Sequence, residues 1–197
     1  MSESQAAGPH GRQRPRGPSF AERRTRYDTL VFAVFSSKAL QRAVQDQSKT
    51  NLVSLWGEIA RKFRKTEQAH HSRRAYEPLQ IHQRIVEGLP GEALFVSSAM
   101  AFDSMADALQ LFDVSAKTAK QRIGERLLPS EGEIALRIGR VLTIAEDVFG
   151  SLEVGRQYLR TPNFALGGAV PRDLLKTAEG EQLVLSELQT QAEGGPV

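Results

Sequence analysis

The stretch SEGEIALRIGRVLTIAEDVFG, residues 130–150, is the one whose reading decides the fold. Within it Ile134, Ile138, Val141, Leu142, Ala145, Val148 and Phe149 stand at offsets of 0, 4, 7, 8, 11, 14 and 15. Those offsets draw a single apolar stripe along an α-helix, so the segment is a core or interface helix. Gly150 is placed to stop it. Arg137 and Arg140 are expected opposite the stripe, free to meet acidic groups or solvent.

Downstream, a helix from Leu152 to Arg160 must end before Pro162, which cannot continue it. Ala165-Leu166-Gly167-Gly168 supplies a tight turn, and Pro171 suits a first helical position. Thr177 can cap a last helix with Glu179 and Glu181 in its first turn, burying Val184, Leu185 and Leu188. Gly194-Gly195-Pro196 reads as a loose end.

Upstream, Pro90 can open a helix that reaches Met100. Ser104 can cap a helix from Met105 to Phe112, Asp113-Val114-Ser115 turns the chain, and a further helix runs from Ala116 to Leu127. Two short helices joined by such a turn are the outline of a helix-turn-helix. Its second helix offers Ser115, Lys117, Thr118, Lys120, Gln121 and Arg122, with Arg126 beyond, a set able to hold phosphates and read base edges. Asp103, Asp107, Asp113 and Glu125 cancel its charge, so residues 103–127 are net neutral. Because phosphate attraction supplies most non-specific DNA affinity, dimerisation or a basic arm would have to help. A degenerate helix-turn-helix kept only for dimer packing is the competing reading.

The first 88 residues hold 16 Lys/Arg against 8 Asp/Glu, whereas residues 89–197 hold 10 against 15. A basic half suits nucleic acid or an acidic protein surface, or serves only as a solubilising arm. Residues 1–26, with six arginines, several Pro and Gly and Phe20 as their one large apolar side chain, read as a disordered basic arm. From Tyr27 to about His71 two helices are expected, one carrying Leu30, Val31, Val34 and Phe35, the other Leu52, Leu55, Trp56, Ile59 and Phe63. A link to Pro78 and a short helix from Leu79 toward Val86 follow. The chain divides on this reading into an arm (1–26), an N-terminal helical segment (27–86), a helix-turn-helix domain (87–130) and a C-terminal domain (131–197). No alternating strand pattern appears, so the fold class is all-α.

With 197 residues, 40% hydrophobic and 25% charged, the chain can build one or two small cores. It has no cysteine, which removes disulfides, thiolate zinc sites and a cysteine nucleophile, and points to a reducing cytoplasm. No apolar run is long enough for a signal peptide or membrane span. His70 and His71 are adjacent and His10 and His82 distant, so no metal site is expected. Gly88, Gly91, Gly167 and Gly168 form no phosphate-binding loop. Neither a catalytic constellation nor a cofactor is expected.

From about Arg84 to Gly194 the chain resembles the Xre/MbcA/ParS antitoxins. The residues that carry the likeness are Glu131, Arg137, Arg140, Phe149, Tyr158-Leu159, Thr161-Pro162-Asn163, Leu166-Gly167-Gly168, Pro171, Leu174-Leu175, Thr177, Gly180, Val184, Leu188 and Gly194. Phe112-Asp113-Val114-Ser115-Ala116-Lys117-Thr118 is similar to the family's helix-turn-helix. The resemblance implies an Xre-like helix-turn-helix followed by a small helical toxin-binding domain, dimeric within a hetero-oligomer. It also implies a neighbouring RES-domain toxin that acts on NAD, whose active site the antitoxin blocks, and an operator to which the complex binds as repressor. Toxin contacts are then expected from Arg137, Arg140, Leu166, Gly167, Gly168 and Leu188. Two departures stand out: Tyr158 replaces the usual Trp, and Glu131-Gly132-Glu133-Ile134-Ala135 lacks an arginine common in the family, whose part would fall to Arg137 or Arg140. Spacing alone favours reading the Gly-Gly turn and last helix as ordinary packing, and only the resemblance reverses that.

Three functions remain to be separated. An antitoxin predicts a toxic neighbour, a stand-alone transcription regulator predicts tight DNA binding with no partner, and a helical enzyme subunit or scaffold predicts activity in the isolated protein.

Overall fold

The computed structural model describes residues 20–69 and 76–194, and these are all-α. The helices are α1 (Phe20–Phe35), α2 (Lys38–Gln45), α3 (Lys49–Ala69), α4 (Pro78–Glu87), α5 (Glu92–Ala101), α6 (Met105–Phe112), α7 (Ala116–Arg122), α8 (Pro129–Phe149), α9 (Leu152–Arg160), α10 (Pro171–Leu174) and α11 (Ala178–Ala192), with a 3-10 turn at Phe164–Leu166. The only pairing of strand type among the described residues is an isolated bridge between Pro90 and Arg126.

The stripe predicted for residues 130–150 is the axis of the molecule. Ile138, Val141, Leu142 and Ala145 of α8 are fully buried, and α1, α4, α5, α9 and α11 all pack on this helix. Gly150 takes a left-handed conformation and ends α8. One buried cluster runs from Leu30 to Leu188, so N-terminal and C-terminal helices share a core. Gly139 explains how close they come. A Cβ built there would sit 2.6 Å from Val31 Cγ1 and 3.3 Å from the Trp56 ring, so α1 and α3 rest directly on the backbone of α8.

The N-terminal region departs from expectation. A helix begins at Phe20, so residues 20–26 of the expected basic arm are helical; Arg24 reaches Glu181 of α11 at 3.5 Å. The expected arm over residues 1–19 lies outside the described residues, as do the His70-His71 pair and the Gly195-Pro196 end. The two helices expected between Tyr27 and His71 are three, because α2 takes up residues 38–45 behind a break at Ser36-Ser37. Leu40, Ala43 and Val44 bury its apolar face.

The helix expected from Ala116 to Leu127 is also shorter. α7 ends at Arg122, where Ile123 turns extended, because the backbone beyond is bonded elsewhere: Gly91 N–H donates to Glu125 and Leu127 N–H to Leu89, each over 2.9 Å. Buried Glu92 at the start of α5 accepts from Gly124 N–H at 3.0 Å and from Gln45 of α2 at 3.2 Å. No described helix is long and apolar enough to cross a membrane.

Candidate functional site

Between α9 and α11 lies an open groove of about 760 Å³ whose floor is Phe149, Tyr158 and Glu187. The local sequence builds it in steps. After α9 the chain cannot stay helical at Pro162, and Asn163 closes a compact loop: its Oδ1 accepts from Ala165 N–H at 2.8 Å, and its carbonyl accepts from Gly168 N–H at 2.9 Å. Gly167 and Gly168, at φ +68° and +84°, make the return that other residues would resist. The loop directs Leu166 onto the core and leaves Phe164 98% exposed at the lip of the groove.

Tyr158 rests on Phe149 with ring centroids 5.3 Å apart, and its hydroxyl donates to Glu187 Oε2 at 2.7 Å. Burial, and then the bond to Glu187 and its charge, push the Tyr158 phenol above its ordinary value, so it stays a donor. Gln191 in turn donates to Glu187. Leu183, Glu187 and Gln191 recur at helical spacing on α11, and Leu183 is exposed along that line, as is Val154 on α9. The groove therefore combines an aromatic knob, an apolar rim and one fixed carboxylate.

The residues expected at a partner surface divide. Gly167 and Gly168 are exposed beside Phe164. Leu166 is half-buried and Leu188 is fully buried, so the latter serves the core. Arg140, expected to be free, is buried: its Nε donates to Asp28 at 2.5 Å and its NH1 to Glu181, which ties α1, α8 and α11 together. The stripe on α8 is wider than seven positions suggest, because helices cover α8 on nearly every side. Arg137 is mostly buried as well, donating to Glu133 at 2.8 Å and to the Lys176 carbonyl at 3.1 Å. Phe164, Val154 and Glu187 were passed over by sequence reasoning; an unaccompanied Phe in an Asn-Phe-Ala-Leu-Gly-Gly loop was the available signal.

On the α6–α7 side, Ser104 accepts from Ala106 N–H at 3.1 Å as the expected helix cap, and Ser115, expected only as a turn and DNA-contacting residue, caps α7 by accepting from Thr118 N–H at 3.0 Å. Asp113 takes the left-handed turn between them at φ 54°. Phe112 and Ala119 face the core; Ser115, Lys117, Lys120 and Gln121 are exposed and Thr118 is half-buried. Arg122 differs, since its guanidinium grips Glu131 through Nε and NH2, each at 2.9 Å. That bond holds Arg122 above its usual value and anchors the end of α7 to the start of α8. Among the described residues no group of three or more His, Asp or Glu is placed to hold a metal.

The comparison with curated proteins gave no match. A family model does match, over residues 145–194, and these comprise the end of α8, α9, the 3-10 turn, α10 and α11. The segment that builds the groove is thus matched by the antitoxin Xre/MbcA/ParS C-terminal toxin-binding domain, which supports an antitoxin role for this chain.

Proposed function

We propose that this chain is the antitoxin of a toxin–antitoxin pair, that its partner is a RES-domain toxin acting on NAD, and that it seats that toxin on the α9–α11 groove. It is a binding protein rather than a catalyst. The observation that carries the reading is Phe164, an almost fully exposed aromatic side chain at the groove inside the matched segment. Large exposed aromatics beside a groove are the usual anchors of protein interfaces. Gly167 and Gly168 leave bare backbone next to it, which lets a partner approach closely. With its toxin, as a dimer within a hetero-oligomer in the cytoplasm, the chain represses its own operon through α6 and α7, whose exposed Ser115, Lys117, Lys120 and Gln121 face the operator.

The test is co-expression with the protein encoded beside it, followed by size exclusion and measurement of cellular NAD. A stable complex that preserves NAD is expected, with growth arrest and NAD loss when this chain is omitted. Phe164→Ala is expected to leave the melting temperature unchanged and to weaken the complex by tenfold or more, the scale of an anchor worth about 2 kcal/mol. No complex and no toxicity would overturn the reading and leave a stand-alone DNA regulator.

A further inference from the structure

A second cavity, of about 260 Å³, opens on the opposite flank of α9; its polar lining includes Lys49, Thr50, Asp103, Ser104, Arg156 and Arg160. Three long cations from α3 and α9 meet here at the start of α6. Arg156 and Arg160 stand one turn apart and are directed toward the end of α5, donating to its last carbonyls and to that of its C-cap: Arg156 to Ala99 at 3.3 Å and Met100 at 3.4 Å, Arg160 to Phe102 at 3.4 Å. Arg172 completes the set on Ala101 at 3.2 Å. The α5 terminus, which would repel an anion, is therefore already covered.

What remains is cationic. Asp103 pairs with Arg160 at 2.9 Å and Glu153 with Arg156 at 2.8 Å, but both carboxylates are mostly exposed, and among the described residues Lys49 makes no ion pair. Arg160 Nε is buried with no hydrogen-bond partner among the described residues. Burial, and then the neighbouring Arg156, hold Arg160 below its usual value, a crowding that an anion would relieve. The first turn of the 21-residue α3, which holds no acidic residue, also opens here through Lys49 and Thr50 and adds N–H groups of the right polarity.

We propose that this pocket seats a backbone phosphate of duplex DNA, with Lys49 as its mobile cation and Arg156 and Arg160 as its fixed ones. The proposal rests on the helix-turn-helix reading of α6 and α7. In that geometry the first helix crosses the DNA backbone while the second enters the major groove. Ser104 and Met105 begin that first helix, which at about 1.5 Å per residue spans about 12 Å to the turn before α7. A phosphate held here would fix the register of α7 and supply positive charge that residues 103–127, net neutral, lack. Two of the three cations belong to the matched toxin-binding segment, so DNA and toxin would meet opposite flanks of α9.

The experiment measures binding of the full chain, with its partner present, to a duplex carrying the DNA upstream of its own reading frame and to a scrambled duplex, across a salt series. Lys49→Gln removes an exposed charge that has no ion-pair partner among the described residues, and is expected to keep the melting temperature. It should weaken binding to both duplexes by a similar several-fold factor and lower the salt slope by about one. Lys120→Gln reports on α7 separately. If Lys49→Gln is neutral while Lys120→Gln weakens binding, the phosphate seat is wrong and the helix-turn-helix stands. If Lys49→Gln weakens binding while Lys120→Gln is neutral, the seat stands and the helix-turn-helix reading falls. If no duplex binds, the proposal is overturned; inorganic phosphate shifting the Lys49 and Thr50 amide resonances would then assign the pocket to a free phosphate ligand.

Discussion

Arg140 shows how one side chain can be misread from its surroundings in sequence. On a helical projection it falls off the apolar stripe, and the ordinary inference places such an arginine in water. In the fold Asp28 and Glu181, far away on either side in the chain, close over it. A buried charge with matched partners is tolerated; a buried charge that has lost its partner is not. Arg140→Met is therefore expected to cost about 3–5 kcal/mol in a denaturant titration. Most of the loss should come from Asp28, since Glu181 keeps Arg24 at 3.5 Å and Arg137 at 3.8 Å. The double replacement Asp28→Leu with Arg140→Met should recover much of it, and a double variant no more stable than the single one would contradict this account.

At the scale of elements, α8 owes its place to a glycine as much as to its apolar residues. Alanine is the better helix former by about 1 kcal/mol, so on propensity alone Gly139→Ala should stabilise. Contact decides otherwise. The added methyl would press on Val31, itself fully buried, and on the Trp56 ring, and overpacking of this kind costs about 1–3 kcal/mol. The variant is expected to unfold at lower urea, and Val31→Ala in the same chain should restore part of the loss. A more stable single variant would show that α1 can shift aside. The caps of α6 and α11 illustrate the opposite case, in which Ser104 and Thr177 specify helix starts from within a few residues and could be read directly.

For the whole molecule the consequence is mutual dependence. The matched helices α9 and α11 pack on α8, and so do α1, α4 and α5 from outside the matched segment. A fragment of residues 129–197 would expose Ile138, Leu142 and their neighbours to water, and each such side chain contributes about 1.5–3 kcal/mol by burial. We expect the fragment to give a collapsed amide spectrum while residues 20–194 unfold in one cooperative step. Sharp, dispersed resonances from the fragment would show that the C-terminal helices need no N-terminal support. The same wrapping places the groove and the cationic pocket on two flanks of one helix, α9.

The all-α class, the axis helix, its Gly150 stop, the Ser and Thr caps and the Gly-Gly turn were all legible in the chain, because each depends on spacing or on a neighbour a few residues away. The likeness of the C-terminal residues to the antitoxin family was legible for the same reason. Tertiary structure alone decided which arginines are committed: Arg140 to Asp28 and Glu181, Arg122 to Glu131, and Arg156 and Arg160 to the end of α5. It also decided that Leu188 lies inside and Phe164 outside. Burial and ion pairing are set by residues distant in sequence, and local pattern carries no record of them.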